Sequence, residues 1–212
     1  MPHAALENVR KSLAAEPTSG SARSRLARAL AELIERLEAR EHDTSGHSRD
    51  VAALAGEIAS RLGVPGDEAR QIRLGALLHD IGKLTVPDEI LTKRGPLTDD
   101  EWELMREHPS AGEQVLEPLL RDSGALTVEC VRTVLEIVRW HHERWDGAGY
   151  PDRLAEEAIP LGARIVAVAD AFQAMIERRP YRSARSRLEA VAELSREAGR
   201  QFDPSVAELI RP

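Results

Sequence analysis

The chain has 212 residues, 42% of them hydrophobic and 31% charged, with a formal net charge of −7 at neutral pH. That length suits one domain with a short appendage, and the acidic balance argues against a nucleic-acid polymer as partner, which needs a basic field. A single cysteine, Cys130, excludes a disulfide framework and a cysteine-built zinc site, and no signal peptide or membrane-spanning apolar stretch is present, so a cytoplasmic protein without a membrane partner is expected.

Residues 1–20, with Pro2, Pro17 and Gly20 and no sustained period, read as a loose leader. Residues 21–40 read as a helix in which Leu26, Leu30, Leu33 and Leu37 form one apolar stripe. The stripe serves either packing on the domain or a dimerising or linker contact, and two heptads do not separate these. From residue 44 helices follow in series. Thr44 or Ser45 caps one running to Leu62, and Gly63 stops it. Pro65 and Gly66 open the next, which reaches about Ile81. A loop with Pro87, Gly95 and Pro96 leads to Thr98, which with Glu101 makes the capping-box pattern of a short helix over 99–108. Pro109 fits the first turn of a helix reaching Leu120. A long helix covers 127–143, and residues 146–160, with Gly147, Gly149, Pro151 and Pro160, form a loop. Further helices cover about 161–177, 187–199 and 204–210. No alternating strand pattern appears, so the fold class is all-α.

One stretch, Leu77-Leu78-His79-Asp80-Ile81-Gly82-Lys83, places a carboxylate in an apolar run, where its charge needs compensation. Four further histidines lie on or at the edge of apolar helix faces: His47 before Val51, Leu54 and Ile58, His108 after Leu104 and Met105, and His141 and His142 after Val134 and Val138. Asp170 closes a similar run, four residues after Val166. Burying so many polar groups without partners would cost about 1–3 kcal/mol each, and a shared metal cluster removes that cost in one place. Imidazole and carboxylate suit iron, manganese, zinc or nickel. Five histidines and two aspartates are too many ligands for one ion, so two metals are expected, with Asp80 bridging them. Nearby, Trp145 and Tyr150 offer rings for stacking on bases, Trp140 reads as core, and Glu143 and Asp146 read as groups that order the loop.

Taken in order, the segments beginning at His47, Leu77, His108 and His141, with Gly149-Tyr150-Pro151 and the run from Ala158 to Asp170, resemble the HD-GYP branch of the HD-domain metal-dependent phosphohydrolases. The resemblance covers about residues 41–210, so the domain is placed at 41–212. It implies a compact helical bundle around a buried multinuclear metal site holding iron or manganese. It also implies hydrolysis of the bacterial second messenger cyclic di-GMP to pGpG or GMP, within a signalling system that has regulatory protein partners. The ligand set it implies is His47, His79, Asp80, His108, His141, His142 and Asp170. Asp43 stands where some members carry a glutamate that helps hold a third metal. Lys83 matches a lysine at the scissile phosphate, Arg179 and Arg182 match ligand-binding positions, and Tyr150 lies in the loop that shapes the substrate pocket.

Three departures bear on activity. Gln173 stands where the pattern has an aspartate, Ile176 where it has a threonine or serine, and Arg153-Leu154-Ala155-Glu156 where it has a Gly-Leu-x-Gly stretch. Gln173, three residues after Asp170, is expected to face the metal centre and to slow turnover. Alternatives are therefore a slow or degenerate member acting as a nucleotide-binding or protein-interaction module, a phosphohydrolase for another nucleotide, and a di-iron oxygenase, which the Gly-Tyr-Pro segment weighs against.

Overall fold

The computed structural model describes residues 20–41, 46–177 and 184–211. The leader up to residue 19, the proposed Thr44 or Ser45 cap, Asp43, Arg179 and Arg182 lie outside the described residues. Among the described residues the regular elements are all helical, which agrees with the all-α class.

Helix α1 is Gly20–Arg40, α2 His47–Arg61, α3 Gly66–Leu78, α4 Asp88–Leu91, α5 Asp99–Arg106 and α6 His108–Asp122. Then follow α7 Val128–Trp140, α8 Leu161–Ile176, α9 Arg187–Glu197 and α10 Pro204–Ala207. Short 3-10 turns cover Ile81–Thr85 and Glu156–Ala158. Punctuation residues set many of these ends. Gly63 (φ +74°) stops α2 in the left-handed region, the Thr98 side chain accepts from the Glu101 amide in a full capping box, and Pro109 sits in the first turn of α6.

The core forms where α2 packs on α3 and α8, α3 on α7, and α6 on α7 and on the 81–85 turn. Ile58, Ile72, Leu74, Leu78, Leu116, Ile137 and Phe172 are fully buried there, each such side chain contributing about 1.5–3 kcal/mol of burial. On α1, Leu26, Leu30 and Leu37 are buried in the same core, while Leu33 is only partly buried and Ile34 takes the inner place. No helix among the described residues is long and apolar enough to cross a membrane.

Several boundaries differ from expectation. Helix α3 ends at Leu78, before the His79-Asp80 pair, and α7 ends at Trp140, before His141 and His142. A short helix, α4, occupies part of the expected loop before Thr98. Trp140 is half-buried rather than core, because its indole N–H donates to Asp152 Oδ2 at 2.7 Å and so must stay near the surface loop.

Candidate metal centre

The site is assembled mostly from helix ends. His47 opens α2 and His108 opens α6, His79 and His141 cap the C-termini of α3 and α7, and only Asp170 comes from within a helix, α8. What brings the pieces together is a backbone contact. A Cβ on Gly82 would lie 1.9 Å from the His108 carbonyl oxygen and 2.5 Å from the Gly112 nitrogen. Only glycine lets the 81–85 turn lie against the first turn of α6, and that contact sets Asp80 beside His108.

Three histidines use one orienting device. The Nδ1–H of His79 donates to the Ala76 carbonyl at 2.7 Å, that of His108 to Met105 at 2.7 Å and that of His141 to Val138 at 2.9 Å. These carbonyls belong to last helical turns, where the regular helical amide partners run out and a side chain can donate instead. A carbonyl only accepts, so Nδ1 carries the proton and Nε2 presents a lone pair to the centre. His108 Nε2 and His141 Nε2 then face each other at 3.3 Å, and buried His79 Nε2 has no hydrogen-bond partner. Lone pairs so arranged repel unless a cation lies among them. The donor set therefore fits a metal, with the second imidazole nitrogen fixed by a carbonyl as in known metal sites.

Two groups of side chains could each hold an ion. In one, donor atoms of Asp80, His108, His141 and His142 lie within 4.8 Å of one another; in the other, those of His47, His79 and Asp170 do. Asp80 faces both: Oδ1 lies 3.4 Å from His108 Nε2 and Oδ2 lies 3.3 Å from His79 Nε2. His47 Nε2 lies 2.9 Å from Asp170 Oδ1, with its Nδ1 3.1 Å from Glu177 Oε2.

The electrostatics divide the same way. Burial, with the neighbouring imidazoles, pushes His108 and His142 down to about 3 and lowers His141, so all three are neutral donors. Burial also opposes charge on His47, but the Asp170 and Glu177 carboxylates outweigh it and raise its pKa to about 10. His79 is raised likewise, burial being outweighed by Asp80, so on His47 and His79 a proton competes with a metal ion for the lone pair that faces the centre. Asp80 and Asp170 are held below the usual carboxylate range, because facing cationic groups, His79 foremost for Asp80 and His47 for Asp170, overcome desolvation.

Lys83 Nζ donates to Asp80 Oδ2 at 2.6 Å and lies 3.4 Å from Glu41 Oε1. Burial opposes its charge, yet Asp80 and then Glu41 raise its pKa, so the ammonium form is held. Sequence reasoning missed the residue that supports this turn. Arg40, in the last turn of α1, donates to the carbonyls of Leu84 at 2.8 Å and Val86 at 2.6 Å, and from Nε to Asp88 Oδ1 at 2.8 Å. Its only signal was a basic side chain at a helix C-terminus. Arg40→Ala is expected to lower stability by about 2 kcal/mol and to slow turnover while leaving metal content unchanged. Denaturant melts and elemental analysis of the same preparation check this.

The 146–160 loop is tied down at several points. Buried Glu143 accepts the Asp152 amide at 2.7 Å, Asp152 takes a forked bond from Arg139 at 2.7 and 3.0 Å, and Asp146 takes one from Arg144 at 3.0 and 2.7 Å. Glu143 and Asp146 thus order the loop, as expected. Tyr150 stacks on His142, with centroids 4.9 Å apart and planes at 30°, so one ring face is already covered. The Trp145 ring has a different partner from the histidines: the Arg164 guanidinium lies over it at 5.7 Å, and Arg164 is in turn held by Asp203 at 2.5 Å. Gln173 also departs from expectation. Its amide donates to the Asp50 carbonyl on α2 at 3.4 Å and to no ligand-set residue among those described. Arg153 (φ +56°) and Glu156 (φ +51°), which replace the two glycines of the pattern, keep the left-handed backbone that glycine favours, at a cost on the order of 1 kcal/mol each.

A family profile for the HD domain matches residues 20–206. The chain is 42% identical over 187 residues to the cyclic di-GMP phosphodiesterase response regulator RpfG of Xanthomonas campestris, covering 88% of this chain and 46% of that protein. It is 36% identical over 178 residues to the 3'3'-cGAMP-specific phosphodiesterase 2 of Vibrio cholerae, covering 84% of this chain and 33% of that one. The chain thus spans less than half the length of these relatives. Its fold is similar to that of Bd1817, an HDG"Y"P protein from Bdellovibrio bacteriovorus, with a TM-score of 0.62 at 19% identity over 95% of this chain and 75% of the other. With the His-Asp pair seated between two potential metal-holding clusters and Gly149-Tyr150-Pro151 beside them, the chain belongs to the HD domain family, in its HD-GYP branch.

Proposed function

We propose that this domain is a metal-dependent phosphodiesterase that hydrolyses cyclic di-GMP in the cytoplasm. The observation that carries the reading is the placement of Asp80, one carboxylate oxygen toward each cluster. His79, His108, His141, His142, His47 and Asp170 would complete two sites, with iron or manganese suited to the mixed imidazole and carboxylate set; Asp43 would serve a third. Bound metals would supply an activated water and neutralise charge on the phosphoryl oxygens.

The chain's own groups do the rest. Neutral His108, His141 and His142 keep their lone pairs available at working pH. The Lys83 ammonium, pinned at 2.6 Å from Asp80, presents positive charge where negative charge accumulates in the transition state. Held in its charged form, it acts chiefly as an electrostatic partner of the phosphoryl group and the departing oxygen. Arg179 and Arg182 would clamp phosphate through forked bonds. Tyr150, braced on His142, walls the substrate against the cluster.

Lys83→Ala is expected to lower kcat about 100-fold with metal content unchanged, whereas Arg179→Ala raises KM and spares kcat. Steady-state kinetics on cyclic di-GMP, with elemental analysis of each variant, separate the two. Full activity in both variants would overturn the assignment of the substrate site. A second reading, a phosphodiesterase for a hybrid cyclic dinucleotide, is favoured by the likeness to the cGAMP-specific relative. A panel of cyclic dinucleotides, with the linear products resolved by chromatography, distinguishes the two. A homodimer through α1 would use its outer face, since Leu26, Leu30 and Leu37 are buried within the chain.

A further inference from the structure

Beside the metal clusters, on the other side of the Gly-Tyr-Pro loop, lies a groove of about 430 Å³ lined by Arg106, Arg153, Tyr150 and the Gly147–Gly149 backbone. That volume falls in the usual range for small-molecule sites. The groove adjoins the centre directly, because Tyr150 lines it and also stacks on His142.

Its two arginines are unlike the others nearby. Arg139, Arg144, Arg164 and Arg185 each have a carboxylate partner. In a chain of net charge −7, Arg106 and Arg153 have none among the described residues. The Arg106 guanidinium lies 5.6 Å from the Tyr150 ring centroid and 6.0 Å from that of Trp102, and Trp102 is left 46% exposed. Arg153 reaches the groove from a left-handed backbone position, φ +56°, imposed where buried Glu143 gathers the amides of Asp152, Arg153 and Leu154. A strained arginine where glycine would be relaxed is retained at a cost, which points to a use for the side chain.

The groove therefore offers guanidinium donors not taken up by a carboxylate, beside the Tyr150 ring and a glycine-rich backbone that leaves room for a flat ligand. Guanine presents two adjacent acceptors, O6 and N7, whereas adenine replaces O6 with an amino donor that these guanidiniums would repel. We propose that Arg106 and Arg153 form a guanine-reading subsite for one base of the cyclic dinucleotide while its scissile phosphate lies at the metal clusters. Arg106 and Arg153 are specificity residues in this scheme, and the subsite rests on the phosphodiesterase reading above.

The test is the ratio of kcat/KM for cyclic di-GMP to that for cyclic di-AMP, measured on metal-loaded wild type, Arg106→Ala, Arg106→Lys and Arg153→Gly. Wild type is expected to favour the guanine substrate. Arg106→Ala and Arg153→Gly should each lower the ratio roughly 10-fold or more. Arg106→Lys should not restore it, since lysine keeps the charge but loses the fork. Arg153→Gly also relieves the backbone, so its melting temperature should not fall, and a lost preference in that variant is then not a folding defect. Turnover with a guanine preference that survives these substitutions overturns the inference alone. So does an equal loss on both substrates, which would mark a phosphate clamp. If wild type turns over neither cyclic dinucleotide, the cyclic di-GMP reading fails and the subsite falls with it. Hydrolysis of bis(p-nitrophenyl) phosphate, which carries no base, then shows whether any phosphodiesterase activity remains.

Discussion

Asp80→Asn is expected to strip the chain of both metals and to reduce phosphodiester hydrolysis by about a thousandfold or more, the loss of several kcal/mol of charge stabilisation. The expectation follows from the two oxygens of Asp80, one 3.4 Å from His108 and the other 3.3 Å from His79. An asparagine keeps the shape but offers only one oxygen and no charge. Single-cluster substitutions should behave differently. His142→Ala, in the cluster with His108 and His141, should remove one ion, and His47→Ala, in the cluster with Asp170, should remove the other. Elemental analysis after anaerobic reconstitution distinguishes these patterns. Equal metal loss in all three variants would indicate a single shared site rather than two bridged ones. Stability should fall with metal content, because ligands that repel one another without a cation are held together by it.

Gly82→Ala is expected to destabilise the domain by about 3 kcal/mol or more, at the severe end for a single added methyl. The new Cβ would meet backbone, at 1.9 Å from the His108 carbonyl and 2.5 Å from the Gly112 nitrogen. Backbone cannot rotate away as a side chain can, so either the 81–85 turn or the start of α6 must shift. Each shift moves a metal-facing group, Asp80 or His108. Metal affinity should therefore fall together with stability. Gly95 is the internal control: nothing lies within 4 Å of a Cβ there, so Gly95→Ala should change stability by no more than about 0.5 kcal/mol. Equilibrium denaturation of the two variants compares them directly.

The helical class and most element positions were legible, because capping boxes, helix-stopping glycines and apolar periodicity are local signals. The residues of the two candidate clusters were legible as polar interruptions of apolar faces. How they are aimed was not. Gly82 is a local signal for a helix end near Ile81, but nothing local ends α3 as early as Leu78, before His79 and Asp80. The break comes from Gly82 docking on the His108 carbonyl, a contact between segments 26 residues apart in the chain. The imidazole-to-carbonyl bonds at i−3 follow from those helix ends and were hidden with them. Trp145 was placed beside the histidines by nearness in sequence, but its backbone pairs with Gln201 and its ring with Arg164, which turn it toward the C-terminal helices. Gln173 shares a helix with Asp170 yet contacts the Asp50 carbonyl, because α2 packs on that side of α8. Arg153 and Glu156 show the converse. The glycine-for-side-chain changes were visible in the sequence, but only the structure reveals that the left-handed backbone was kept.

The central claim, two bridged metal sites that together hydrolyse a cyclic dinucleotide, is tested most directly by titrating metal-free protein with manganese or ferrous iron under reducing conditions. Cyclic di-GMP turnover is read at each equivalent. The predicted rate follows the doubly loaded fraction, stays low while most chains hold a single ion, and saturates at about two equivalents per chain. Full rate at one equivalent, or turnover by the metal-free protein, would contradict the account.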